Sequence, residues 1–426
     1  MADDRVVAKI VNEFFLSTCL LRRRLNMDTI AVMKNSSDVI DREYDKELDG
    51  DTIIALSAGS VAEFYIEPML SCIGDVDIMY HSNCDLAIPR GHLPPTQFPD
   101  EFYGDVRVWE ITDSQFPGYV YLVLTYVLLE ITDDGKHIAV QCPGRYFAAA
   151  DLAREVSGGF IRGPALYVKK EINRLQQFLI GSVYYHESLN SSDFVICFRC
   201  LSWPTQSADW PSRRRNYGWP DSATVDRVVS NGCDVVRVSH RLCMQDQWMN
   251  KRQFRLSFSR AEIILLNSWM PVQQIVYHML RFFTKTERFT DTTDSTGSKI
   301  LSNYIVKTLV LWACEMKARS WWIDELNLVG VCVKLLHILA DCLTGARCPH
   351  YFINNCNLFD VLGNSDLTQK MANRLMSVTE VWLAEWFVNN YTCKCVDPIV
   401  SRVLRLFDDI STHVKLQNAV SWLVEY

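Results

Sequence analysis

The chain is predicted to be an α+β protein of two lobes. A strand-rich N-terminal part over residues 1–250 opens with a long helix, and a helical part follows over 251–426. Three observations carry this. Short β-branched and aromatic runs punctuated by proline and glycine fill the stretch from about 52 to 250. From about 254 onward the apolar residues switch to long runs at the helical period. A length of 426 residues suits two or three domains, or one body with two lobes and a cleft between them.

Residues 4–25 read as the first helix: Val7, Ile10, Val11, Phe14, Leu21 and Leu25 fall on one stripe, and Asp3 and Asp4 sit where acids favour a helix start. Arg22–Arg23–Arg24 at its far end is either a phosphate-binding patch or a solvated helix end. The strand TIIALSA leads through Gly59–Ser60 into a helix predicted over VAEFYIEPML, and DVDIMY is the next strand. VRVWEIT, YVYLVLTYVLLEIT, KHIAVQ, DFVICFRC and DVVRVSH complete the strand set, with one helix, ALYVKKEINRLQQFLIGS, among them. The apolar run 119–129 is too short to span a bilayer and reads as a buried strand. Helices are then expected in 260–285, 299–317, 328–343 and 366–390, with 290–298 a surface loop.

Composition narrows the function classes. A net charge of −7 predicts no whole-molecule attraction to nucleic acid or anionic lipid, so either partner needs a local basic patch. The fifteen cysteines are scattered through apolar runs, as expected of reduced thiols rather than a disulfide framework. The start, MADDRVVAKI, lacks the features of a signal peptide. A soluble cytoplasmic protein with no membrane partner is the expectation.

The candidate chemistry lies in acids. In DVDIM, strand alternation places Asp75 and Asp77 on one face and Val76 and Ile78 on the other. Two carboxylates so close repel unless a cation lies between them, and Mg²⁺ favours oxygen ligands. Asp193, heading the strand FVICF, is the candidate third acid; three acids allow two metals roughly 4 Å apart, the arrangement of phosphoryl transfer. In the Gly59–Ser60 turn a glycine lets backbone N–H groups approach phosphates, although a tight turn alone would also ask for glycine. It is not a P-loop, because no Lys–Ser/Thr follows.

Gly–Ser, then D-x-D, then an acid on a later strand, resembles the nucleotidyltransferase superfamily. RLSFSRAEIILLN (255–267), HYFINNCNLF (350–359), the Trp–Pro-rich block 203–220 and GCDVVRVSHRLC narrow the resemblance. It is to cyclic GMP-AMP synthase, the male-abnormal (Mab) proteins and the cGAS-like receptors, over about residues 50–360. It implies a bilobal nucleotidyltransferase fold with the first helix as its spine. It implies further that Asp75, Asp77 and Asp193 are catalytic and bind two Mg²⁺ or Mn²⁺ ions, with Asp193 helping to deprotonate the attacking hydroxyl. By the same resemblance Gly59 and Ser60 hold the triphosphate. Arg255, with Ser257 and Ser259 nearby, and Glu262 contact the nucleotide, while Tyr304 stacks on a base. Read from residue types alone, these last positions are equally compatible with packing and capping.

The implied activity joins two nucleoside triphosphates into a cyclic dinucleotide of innate antiviral defence, read by a STING-type receptor. The zinc ribbon that follows RLSFS in cyclic GMP-AMP synthase is missing, since this chain reads LLNSWMPVQQIVYHML there. That favours double-stranded RNA over DNA as activator, met by Arg22–Arg24, Lys169, Lys170, Arg174 or Arg213–Arg215, the last being equally loop charge beside Trp–Pro corners. Cys342, Cys348, His350 and Cys356 have a loose zinc-like spacing that overlaps the aromatic YFI block. The rival reading is a catalytically silent Mab-like binding or scaffolding protein of the same fold, and a third is a constitutive polymerase or RNA-tailing enzyme.

Overall fold

The computed structural model describes residues 2–21, 53–58, 66–67, 76–97, 99, 101–132, 136–147, 160–162, 165–168, 192–243, 248, 252–293, 299–323, 327–360 and 366–392. At the ends of some segments, Asp77 and Asp193 included, only the backbone is described. Gly59, Ser60, Asp75, Arg22–Arg24, Lys169, Lys170 and Arg174 lie outside the described residues.

Helix α1 covers Ala2–Thr18, shorter than the expected 4–25. The hydroxyls of Ser17 and Thr18 turn back onto the Glu13 and Phe14 carbonyls, at 2.8 and 2.6 Å, and compete with the helical ladder. Leu21 therefore extends no stripe. It belongs to strand β1 (Leu20–Leu21), which pairs antiparallel with β3 (Ile66–Glu67). The β3 pairing also breaks the helix expected over 61–70. The predicted apolar face of α1 does form, with Val11, Phe14 and Phe15 buried.

The remaining strands are β2 (Ile53–Ala58), β4 (Val76–Ser82), β5 (Asp85–Pro89), β6 (Val106–Asp113), β7 (Tyr119–Thr132), β8 (Lys136–Tyr146), β9 (Phe160–Arg162), β10 (Ala165–Val168), β11 (Ser192–Cys200), β12 (Cys233–Val236) and β13 (Gln253–Ser257). β10 occupies the start of the segment expected to be helical, and pairs antiparallel with β11 from Ala165↔Val195 to Val168↔Ser192. β13 begins just past position 250, the expected division, yet belongs to the sheet through β12 and β7. β11 organises the whole. Its first half pairs parallel with β4, and its second half pairs with both β5 and β12. Through β6, β7 and β13 the sheet thereby closes on itself around an aromatic core of Trp109, Phe147, Phe198 and Phe254. β7 is a strand as expected but only partly buried: its end runs out with β8, leaving Leu129 and Ile131 exposed.

The helical part carries α2 (Ser222–Ser230), α3 (Ser259–Asn267), α4 (Pro271–Thr286), α5 (Asn303–Met316), α6 (Arg319–Ile323), α7 (Leu328–Thr344), α8 (Asp366–Met376) and α9 (Glu380–Phe387), with a π-helical turn over Val388–Thr392. α2 lies within the strand-rich part and packs against α3. The expected helix 260–285 is broken at Ser268–Met270, where Pro271 opens α4 with the N-terminal φ that proline supplies. Phe14 and Phe15 of α1 pack edge-on against Tyr391 and Phe387, so the first helix is seated on α9 and the π-helical turn that follows it. No helix among the described residues is long and apolar enough to cross a membrane.

Candidate active site

Strand register assembles the acidic end. Asp193 of β11 is the paired neighbour of Asp77 of β4, and Asp77 is in turn the paired neighbour of Ala58, the last residue of β2. Ala58, Asp77 and Asp193 thus form one row across three strands, and the chain leaves that row directly into Gly59. Adjacent strands lie about 4.8 Å apart, and residues in register share a face. Two acidic positions so placed are destabilising without a counter-ion. An all-oxygen donor set of this kind suits a hard divalent cation. Asp75, the third predicted ligand here, lies outside the described residues.

The same parity carries across the sheet. Cys197 lies four residues beyond Asp193 on β11 and pairs with Val236 of β12, which pairs with Arg255 of β13. Arg255 therefore shares the face of Asp77 and Asp193. Four residues along and two strands over corresponds to roughly 16 Å. Ser257 and Ser259 bracket the turn from β13 into α3, with their hydroxyls 3.2 Å apart. Arg260 secures that helix to the face through Asp234 at 2.9 Å, a carboxylate with no solvent exposure.

Around Arg255 the predicted contact residues converge. Glu262 is buried and neutralised by Lys307 of α5 at 2.5 Å. Lys307 is one turn beyond Tyr304 on that helix, so its ammonium lies 5.6 Å from the Tyr304 ring centre. Ser302 caps α5 by accepting from the Ile305 N–H, which fixes where Tyr304 emerges. Tyr304 is partly exposed, yet burial and then the Glu262 charge raise its phenol well above the ordinary tyrosine range. Its oxygen is 2.8 Å from Nε2 of His350. Burial, then Arg255 and Arg213, lowers the His350 imidazole to about 3. Arg255 is exposed and hydrogen-bonds Tyr119 of β7, whose phenol is raised by burial against the pull of that arginine.

Two family models match adjacent segments of this chain. Residues 166–268 match the family described as "Mab-21 protein nucleotidyltransferase domain", and residues 273–377 match "Mab-21 protein HhH/H2TH-like domain". The chain belongs to the Mab-21-like nucleotidyltransferase family. The proteins called "Protein male abnormal 21" of Caenorhabditis elegans and Caenorhabditis briggsae are each 26% identical over 168 residues. Those alignments cover 38% of this chain and 43% of either relative, so the match spans under half the length of both. Asp193, Arg255, Ser257, Ser259 and Glu262 fall in the first family segment, and Tyr304, Lys307 and His350 in the second. Gly59, Ser60, Asp75 and Asp77 precede both.

Two groups of sequence candidates have other occupations within this family fold. Arg213 and Arg215 are not a free basic patch: both ion-pair with buried Glu315, at 3.4 and 3.7 Å. Arg213 also lies 4.5 Å above the Trp312 ring and donates to the Tyr351 carbonyl, while Arg215 lies 4.8 Å above Trp210. Arg214 between them is exposed. Cys342, Cys348, His350 and Cys356 form no zinc cluster, and no three His, Cys, Asp or Glu side chains among the described residues gather as metal ligands. Both ring nitrogens of His350 are hydrogen-bonded, and the Cys356 thiol faces the Pro117 carbonyl at 3.6 Å. The described cysteines are free thiols.

Lys307, Tyr119 and the role of His350 were not found from sequence. For Lys307 a signal existed: Glu262 inside the apolar run AEIILL needs a buried partner. Nothing local announces Tyr119, which reaches Arg255 only because β7 pairs with β13.

Proposed function

We propose that this chain is a nucleic-acid-activated nucleotidyltransferase that joins two nucleoside triphosphates into a cyclic dinucleotide. The observation that carries the reading is the common sheet face. It presents Asp77 and Asp193 as register neighbours at the end of β2 that leads to Gly59, with Arg255 farther along the same face. Asp77 and Asp193, with Asp75, would hold Mg²⁺ or Mn²⁺, which would neutralise charge developing on the transferred phosphate.

In this reading the Gly59–Ser60 turn receives the triphosphate, Arg255 steadies base or phosphate, and the Tyr304 ring stacks on a base. Buried Glu262–Lys307 keeps that ring in place. Asp193 draws the proton from the attacking ribose hydroxyl. Alignment and fixed charge, rather than a covalent intermediate on the protein, supply the rate. Double-stranded RNA is the activator proposed, on the resemblance to receptors that lack the zinc ribbon. With Arg213 and Arg215 engaged internally, the contact falls to other cations.

The test is product analysis with Mg²⁺ or Mn²⁺ and all four ribonucleoside triphosphates, alone, with duplex RNA, or with duplex DNA. Cyclic product with RNA is expected, and Asp77→Ala should lower it by about a thousandfold, the loss of roughly 4 kcal/mol of charge stabilisation. No product under any condition, with nucleotide still bound, would favour a Mab-like binding protein. Product with DNA alone would reverse the choice of activator.

A further inference from the structure

His350 holds Tyr304 in one hydrogen-bonding sense. Nδ1 of His350 is 3.1 Å from the backbone N–H nitrogen of Phe352 and 3.1 Å from that of Ile353. Both are donors, so Nδ1 accepts and carries no proton. A neutral imidazole then bears its proton on Nε2, and Nε2 is 2.8 Å from the Tyr304 oxygen. The histidine donates and the phenol accepts. Tyrosine has one hydroxyl proton, and with the histidine already donating, that proton is directed elsewhere.

The imidazole has little freedom to change this. Its loop is pinched by the His350 N–H on the Cys356 carbonyl at 2.8 Å and the Leu358 N–H on the Cys348 carbonyl at 2.7 Å. The neighbouring Phe352 ring stacks on Phe258 with centroids 4.6 Å apart. Among the described residues the Tyr304 hydroxyl bonds His350, and Glu262, whose charge acts on that phenol, accepts from Lys307.

We propose that His350 is a positioning residue that fixes the hydrogen-bond polarity of Tyr304, leaving the phenolic proton to donate to an acceptor atom on a bound nucleotide. The inference rests on the reading of Tyr304 as a nucleotide-facing residue and adds a selection rule to it. An acceptor edge of a base or an oxygen of the sugar is favoured at that hydroxyl, and an amino group is disfavoured.

The experiment uses the full chain, with equilibrium binding of ATP and of GTP to the parent, Tyr304→Phe, His350→Asn and the double variant. Asparagine places its side-chain oxygen where Nδ1 accepts from Phe352 and Ile353, so the loop keeps its cap, but it has no atom at Nε2. Each single variant should weaken the better-bound nucleotide about three- to tenfold, one hydrogen bond's worth. The double variant should be no weaker than either single one, because both act through one chain of hydrogen bonds. Additive losses, or His350→Asn binding like the parent, overturn the proposal and leave the proposed function standing. No nucleotide binding by the parent overturns both. Independently of any ligand, ¹⁵N NMR of the histidines should show His350 protonated on Nε2 and bare on Nδ1. The opposite tautomer overturns the proposal even if His350→Asn fails to fold.

Discussion

The block around Trp210 and the cluster around Arg255 use the same residue types to opposite ends. In the first, Arg213 and Arg215 share Glu315, cover Trp312 and Trp210, and donate to backbone carbonyls; Tyr351 adds its hydroxyl to Glu315 at 2.7 Å. Both arginines and the carboxylate are spent within the fold, and Arg214 between them stays exposed. In the second, the carboxylate is again buried and paired, Glu262 with Lys307, but an additional cation, Arg255, is left exposed beside a partly exposed tyrosine. The difference teaches where to look for function in such a surface. An arginine beside aromatics is scaffold when a buried carboxylate has claimed it, and a candidate contact when the carboxylate has been claimed by another residue.

Removing the shared carboxylate should break the first region most severely. Glu315→Ala strands two largely buried arginines and is expected to cost about 3–5 kcal/mol, read from the shift of a chemical denaturation midpoint. A loss below about 1 kcal/mol would place those charges in water and erase the contrast.

Acid sharpens the comparison next. His81, His278 and His350 have imidazoles lowered from 6.5 to about 4, 3 and 3, each by burial first. Such groups are neutral in the folded protein and take up protons on unfolding. Their contribution is fully present above pH 6.5 and is lost as pH falls through 6.5 toward 3–4. Each contributes a slope of about 1.4 kcal/mol per pH unit in that window. His350→Asn should reduce the slope by one histidine's share in denaturation measured between pH 6 and pH 4.5. An unchanged slope would mean that His350 is accessible to protons in the native state.

The smallest expected effect on stability lies in the exposed arginines. Arg255→Ala and Arg214→Ala should each stay within about 0.5 kcal/mol of the parent. Only the first should weaken nucleotide binding, by about tenfold or more for a lost charged hydrogen bond. Equal binding by the two variants would remove Arg255 from the site.

Much of this was legible in the chain itself. The helical run from Arg260 onward, the strands at 76–82 and 192–200 and the RLSFS and YFI blocks announce themselves by period and composition, because the apolar spacing that builds each element is local. Pairing is not local. Ala165–Val168 has the look of a helix start and became a strand because β11 offered it an edge, and Ile66–Glu67 did so beside β1. His350 was grouped with cysteines by spacing, while its actual partner, Tyr304, is 46 residues away.

By itself, then, the sequence determined which residues carry charge, where the strongly periodic strands and helices lie, and that Asp77, Asp193, Arg255 and Tyr304 are worth asking about. Only the tertiary structure decided that Asp77 and Asp193 are register neighbours, that Arg255 shares their face, and that Arg213 and Arg215 are spent on Glu315. The physical reason is that a side chain's chemistry is written in its type. Whether that chemistry is free or consumed depends on what long-range packing brings within about 3 Å of it.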